Sequence, residues 1–277
     1  MPLNQDLVAK RYEESTYEVT ADAIAKYARA TNDENPRYLS EDVVASPVFP
    51  VVPVFNSFMT AAMDPELGAD LMRLVHGAEE HLLHRPIRPG DALTIAPVLE
   101  SVEQKDTGET FTIHAAITDP EGGPVADIRG TMFIRGSGSG IRSRGGEEPR
   151  REAVYEETTK VDEDQTKRYA EASGDHNPIH LDPDMARMAG LPGIINHGMC
   201  TMAIAVKGAV NGLAGGDPER VKRVAVRFAR PVFPGQELTT KFWRDSTSGE
   251  NVVYGFETFN PDGIAVIKNG VAEVAPG

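Results

Sequence analysis

Asp175 and His180 stand five residues apart in the segment Tyr169-Ala-Glu-Ala-Ser-Gly-Asp-His-Asn-Pro-Ile-His-Leu181. Carboxylate and imidazole are the usual side chains for moving protons near neutrality, and two on one stiff loop can share a water molecule. Pro178 stiffens the turn between them, Gly174 permits a sharp approach, and Asn177 carries donor and acceptor groups to brace the loop. Taken singly, these residues also suit plain structural work: a turn cap, an Asx-turn and a surface histidine. An earlier copy of the segment changes the balance. Tyr27-Ala-Arg-Ala-Thr-Asn-Asp-Glu-Asn-Pro-Arg-Tyr-Leu39 aligns at an offset of 142 and matches at 7 of 13 positions, with Tyr38 opposite His180. Asp33, Asn35 and Pro36 are kept. A duplicated loop that holds its frame and loses one ionisable group describes one working site and one retired site.

A second candidate element is Asn196-His-Gly-Met199, at the expected start of an apolar helix. The first turn of a helix leaves N–H groups unpaired and carries partial positive charge, so the Gly198 N–H could polarise a carbonyl as an oxyanion hole does. His197 is a candidate on the substrate-binding side of such a site, against the simpler role of helix capping. Cys200, inside the apolar helix, reads as a small core residue. His81 and His84, three apart on an expected strand, face opposite sides and do not suit a shared metal. Asp175, His176, His180, Asp182 and Asp184 match no zinc or EF-hand spacing, and no glycine-rich phosphate loop is present. The expectation is a site without metal or redox cofactor.

These groups are positioned by a duplicated set of elements. Arg85-Pro-Ile-Arg-Pro-Gly-Asp-Ala-Leu-Thr94 aligns with Arg230-Pro-Val-Phe-Pro-Gly-Gln-Glu-Leu-Thr239 at an offset of 145, identical at 6 of 10 positions. A period of this length marks a domain duplication rather than a solenoid. The expected division is 1–135, a linker at 136–152, and 153–277. The linker is too polar and glycine-rich to bury apolar area against its ordering entropy. Its arginines, Arg142, Arg144, Arg150 and Arg151, alternate with glutamates and read as solvated charge rather than a nucleic-acid arm. Helices are expected at 20–30 and 162–172, each ended by the Asn-Pro loop, with a short one at 183–189. Residues 196–210 are apolar on all sides, as in a buried helix. Its first-half counterpart, 54–63, reads as shorter. Strands are expected at 79–84, 92–102, 110–118 and 125–134, then at 221–229, 237–243, 252–259 and 264–274. A buried helix followed by an antiparallel meander implies an α+β sheet wrapped around a helix.

A formal net charge of -14 argues against nucleic acid or an anionic membrane as main partner. One cysteine allows no internal disulfide, no apolar run is long enough for a membrane span, and the first residues lack a signal-peptide pattern. Cytoplasm is the expected compartment.

The segment from Tyr169 through Ser173, Gly174, Asp175, Asn177, Pro178, Ile179 and His180 to Ala186 resembles the signature of the MaoC-like (R)-specific enoyl-CoA hydratases and 3-hydroxyacyl-thioester dehydratases. Ile195-Asn-His-Gly-Met199 and Arg227-Phe-Ala-Arg-Pro-Val-Phe-Pro-Gly235 are also similar to that family. The resemblance implies a double hot-dog fold, two antiparallel sheets each wrapped around a helix, forming a pseudo-dimer in one chain. It implies a hydro-lyase with Asp175, His180, Asn177 and Gly198 as catalytic residues. It also implies a first half that has lost catalysis and makes room for a long or bulky acyl group. Acyl-coenzyme A or an acyl carrier protein is then the expected substrate, with a homodimer as the expected assembly. Arg227, Arg230 and Lys207 are candidates for the coenzyme phosphates. A thioesterase on the same fold and a non-catalytic acyl-thioester-binding subunit are the alternatives.

Overall fold

The computed structural model describes residues 2–40, 42–136 and 151–277. Of the expected linker, 137–150 lie outside the described residues, with Arg142, Arg144 and Arg150; Arg151 pairs with Asp245 at 3.3 Å.

The first half runs β1 (Ser15–Glu18), α1 (Ala21–Ala30), α2 (Val51–Ala62), β2 (Leu74–Leu83), β3 (Ala92–Lys105), β4 (Gly108–Thr118) and β5 (Pro124–Arg135). The second repeats the plan with β6 (Tyr155–Lys160), α3 (Gln165–Ser173), a short α4 (Pro183–Met188), α5 (Gly198–Gly208), β7 (Val221–Phe228), β8 (Glu237–Ser248), β9 (Asn251–Phe259) and β10 (Ala265–Val274). The strands form one antiparallel sheet in the order β1-β3-β4-β5-β2-β7-β10-β9-β8-β6. Each half contributes the same five-strand order, and the central pair β2 and β7 joins them, with Glu80 opposite Ala225. The two wrapped sheets are thus continuous along one edge, which satisfies backbone groups that separate sheets would leave open.

Local chemistry explains the repeated helix-loop unit. Thr20 caps α1, its Oγ1 accepting the Ala23 N–H at 3.1 Å. Gly174 ends α3 at φ +81, and its counterpart Asn32 occupies the same left-handed region at φ +54. Asparagine is among the few non-glycine residues that tolerate it. Beyond each bend an asparagine side chain caps a short 3-10 turn that opens with proline. Asn35 Oδ1 accepts from Arg37 N–H at 2.9 Å, and Asn177 Oδ1 from Ile179 N–H at 3.3 Å.

The central helix α5 is buried from Met199 through Val206, each large side chain contributing about 1.5–3 kcal/mol of burial. Its partner α2 has 12 residues and is the shorter, as expected, because the 11 residues of α5 continue without a break into a π-helical turn, Ala209–Leu213. Pro53 sits in the first turn, where no helical N–H is lost, so the helix begins three residues before the expected 54. β2 likewise starts at Leu74, five residues before the expected 79. Both edge strands, β1 and β6, escape the sequence pattern because half of each four- to six-residue run faces solvent and is polar. His81 and His84 do face opposite sides. His81 is fully buried, whereas His84 meets Asp127 on the outer face at 2.7 Å.

Candidate active site

The loop after α3 is assembled by its own short hydrogen bonds. Ser173 Oγ donates to Tyr169 O at 2.8 Å and accepts the Asp175 N–H at 3.2 Å. Asp175 Oδ1 accepts the Asn177 N–H at 3.1 Å. The proline-led turn Pro178–His180 then carries His180 inward to 7% exposure, while Asp175 stays half-buried and open to water. His180 Nδ1–H donates to the Ile195 carbonyl at 2.8 Å. That bond fixes the tautomer and leaves the Nε2 lone pair free to accept a proton.

Beneath the dyad lies His197, the residue before α5. It makes no side-chain cap; instead its Nε2–H donates to the Asp175 carbonyl at 3.0 Å. Its ring stacks on His180 at a centroid distance of 3.8 Å and leans on Tyr169 at 4.8 Å. Asp175, His180 and His197 each present a ligand-type atom within 4.8 Å of the other two, the one such cluster among the described residues. Two imidazoles and a carboxylate are metal-type donors; two of the four ring nitrogens are already committed to main-chain carbonyls.

Burial pushes the His180 imidazole below its ordinary value, with Asp175 pulling the other way. Burial and then the His180 charge push His197 down to about 2, so its ring is a neutral support at any working pH. Cys200 is likewise driven up to about 12 by burial, which makes it an inert thiol. Gly198 opens α5, is half-buried, and its N–H has no acceptor among the described residues. A Cβ at this position would lie 3.4 Å from the Phe228 ring. The Gly198 N–H is therefore an unpaired donor at a helix mouth, next in the chain to the residue that holds Asp175.

The structure places the remaining candidates differently from one another. Asn177 is exposed; it braces the loop through its backbone N–H and by capping the turn with its Oδ1. His197, at 1% exposure, is a positioning residue and not a substrate contact. Arg227 is exposed and, by strand alternation, points to the face opposite its neighbour Phe228. Arg230 is exposed just beyond that strand. Lys207 lies at the far end of α5, about 14 Å along the helix from Gly198. It meets Glu157 at 3.3 Å and the Asn32 carbonyl at 3.2 Å. Its ammonium therefore bridges the two halves, at the edge of the concavity beside the first-half loop. Sequence spacing missed the Ile195 carbonyl, a backbone group with no side-chain signature, and Phe228, whose relation to Gly198 arises only when β7 meets α5.

The corresponding loop of the first half is built otherwise. Asp33 is 5% exposed and burial pushes it up to about 6. Tyr38 is fully buried, and its hydroxyl has no hydrogen-bond partner within 3.5 Å among the described residues. A concavity of about 820 Å³ opens beside this loop, lined by residues 32–37, residues 158–160 and Lys207. No acid–imidazole pair stands in it.

Fold and site together define a double hot-dog protein with one acid–imidazole centre in its second half. Residues 145–256 match the family described as MaoC like domain, and residues 6–128 match the FAS1-like dehydratase domain region. Over 85% of its length the chain is 31% identical to 3-hydroxyacyl-thioester dehydratase Y of Mycobacterium tuberculosis, covering 80% of that protein. It is 30% identical over 75% of its length to a probable enoyl-CoA hydratase 2 of Dictyostelium discoideum, covering 72% of that protein. The crystal structure of a MaoC-like dehydratase from Phytophthora capsici superposes with a TM-score of 0.84 at 26% identity, covering 99% of this chain and 98% of that one. The chain belongs to the MaoC-like dehydratase family, whose members are hydro-lyases.

Proposed function

We propose that the protein adds water reversibly across a trans-2-enoyl thioester to give the (R)-3-hydroxyacyl thioester. The observation that carries this reading is the meeting of the Asp175 carboxylate and the His180 imidazole within 4.8 Å, beside a helix mouth with an unpaired N–H. A water between the two side chains donates one hydrogen to Asp175 and one to the Nε2 lone pair of His180. The Gly198 N–H binds the thioester oxygen and stabilises the enolate-like charge that builds as the oxygen attacks Cβ. As the O–Cβ bond forms, His180 takes the proton, and the imidazolium returns it to Cα on the same face. Syn addition follows from one group carrying the proton, and the net change is one H and one OH added. Hydration is redox-neutral, so no hydride carrier enters the scheme.

The first half, without a dyad, is the side assigned to the acyl group. Coenzyme A and acyl carrier protein are the candidate carriers, with the exposed Arg227 and Arg230 as candidate phosphate contacts. Among the described residues no helix is long and apolar enough to cross a membrane. A cytoplasmic setting suits the single free, buried cysteine. Homodimerisation is read directly by sedimentation.

The test is loss of the conjugated enoyl absorbance, together with product chirality and free thiol. Asp175→Asn and His180→Gln are each expected to lower turnover at least about 100-fold while the fold survives, since one general acid–base group is typically worth 10²–10⁴-fold. Near-normal turnover in either variant removes the dyad from the reaction. Thiol release without hydration replaces the reading with a thioesterase.

A further inference from the structure

A second buried ionisable group lies outside the dyad, on the inner face of β2. Glu79, at 2% exposure, accepts from His76 Nε2 at 2.9 Å through one oxygen and pairs with His81 Nε2 at 3.0 Å through the other. His81 is fully buried, and its Nδ1 meets the Pro47 carbonyl at 3.1 Å. Both His81 nitrogens therefore face acceptor oxygens, so a proton is held between imidazole and carboxylate. Burial would push the Glu79 carboxyl up; the two imidazoles outweigh it and hold the group below its ordinary range. The backbone is shaped for the network. A register shift between His76 and Ala78 brings His76 onto the same face as Glu79 and His81 despite its three-residue spacing. Opposite Glu79 stands Gly130, where a Cβ would come within 2.5 Å of Phe58 and 3.0 Å of the Glu79 carboxylate.

Only His76 reaches out of this network, with a side chain 24% exposed. Its ring lies 4.8 Å from that of Phe228. Phe228 in turn lies over Gly198, 3.4–3.6 Å from where a Cβ would be. A line of contacts thus runs from a buried ionic cluster in the retired half to the carbonyl-binding end of the working site.

We propose that His76, anchored by Glu79 and His81, is a positioning residue that holds the Phe228 ring against Gly198 and so fixes the thioester beside the dyad. The inference rests on the hydratase reading and adds a role for the first half that is more than room for an acyl chain. The buried Glu79 carboxylate, bonded to His76 Nε2, fixes the angle of the ring. Its effect should therefore fall on the rate of the bound substrate.

The test is a double-variant cycle on hydration with His76→Ala, Phe228→Ala and the pair, alongside His76→Gln, which keeps a donor for Glu79. His76→Ala is expected to lower kcat about ten-fold with KM little changed, as a small misplacement of a reacting group does. The pair should be no worse than Phe228→Ala alone, and His76→Gln should recover most of the loss. The aromatic proton resonances of Phe228, read without substrate, should move in His76→Ala and return toward the parent position in His76→Gln. Additive losses in the pair, or Phe228 resonances unmoved by His76→Ala, overturn the proposal. A parent enzyme that hydrates no enoyl thioester overturns the hydratase reading instead, and the resonance experiment still decides the His76–Phe228 contact.

Discussion

Replacing Asp33 by Asn should stabilise the protein at neutral pH and do nothing in acid. Asp33 sits where Asp175 sits in the second half, but it is nearly sealed, at 5% exposure, with no imidazole partner. Burial raises its carboxyl from 3.8 to about 6 against the pull of the Asn35 N–H and Lys207, with Glu157 adding to the rise. A carboxyl raised on folding binds protons better in the native chain, so native stability is lost as pH rises. Below about 4 the group is protonated in both states and costs nothing; the penalty grows through the interval up to about 6 and is constant above it. At about 1.36 kcal/mol per pH unit, the full cost is about 3 kcal/mol. Asn retains an oxygen for the Asn35 N–H, now accepted at 3.1 Å, and carries no charge. Urea unfolding of parent and variant at pH 4 and pH 7.5 reads the difference. The expected gain is about 3 kcal/mol at pH 7.5 and close to zero at pH 4. A gain equal at both pH values, or a loss at pH 7.5, would refute the reasoning and make Lys207 a true ion-pair partner of this carboxylate.

Hydration should fall on the acid side as His180 gains a proton, with the falling limb below pH 6.5 because burial lowers that imidazole; a limb above pH 7 in kcat/KM contradicts the assignment of His180 as base. His81→Leu leaves the Glu79 carboxylate buried with one partner fewer and should cost about 3–5 kcal/mol in urea unfolding. A loss under about 1 kcal/mol would place that cluster among exposed pairs. Tyr38→Phe removes a buried hydroxyl that has no hydrogen-bond partner among the described residues. It should leave stability unchanged or slightly higher and leave turnover at the parent rate; a marked fall in either would show that the retired loop still works.

The sequence by itself determined the duplication, because a repeated loop keeps its capping asparagine, proline and left-handed residue even where Tyr38 stands opposite His180. It also located the dyad. Asp175 and His180 are joined by a turn whose geometry is local, so their spacing already contained their proximity. Apolar periodicity found α5 for the same reason, since a helix buried on all sides has no polar face to blur the pattern. Edge strands β1 and β6 were hidden by their solvent-facing halves. The start of α2 was hidden by Pro53, which bars a helix interior and is harmless in a first turn.

Only the tertiary structure decided what supports the dyad and what faces it. His197 became a buried prop because its ring met His180 and the carbonyl of Asp175, 22 positions earlier in the chain. Phe228 was brought over Gly198 by the packing of β7 on α5. Lys207 met Glu157 and the Asn32 carbonyl, and His76 was turned inward by a register shift at Gly77. Each outcome depends on which strand or helix packs against which, and no spacing within one segment encodes it. Local turns are settled by bonds between near neighbours, whereas a site built across halves is settled by the packing of the halves together.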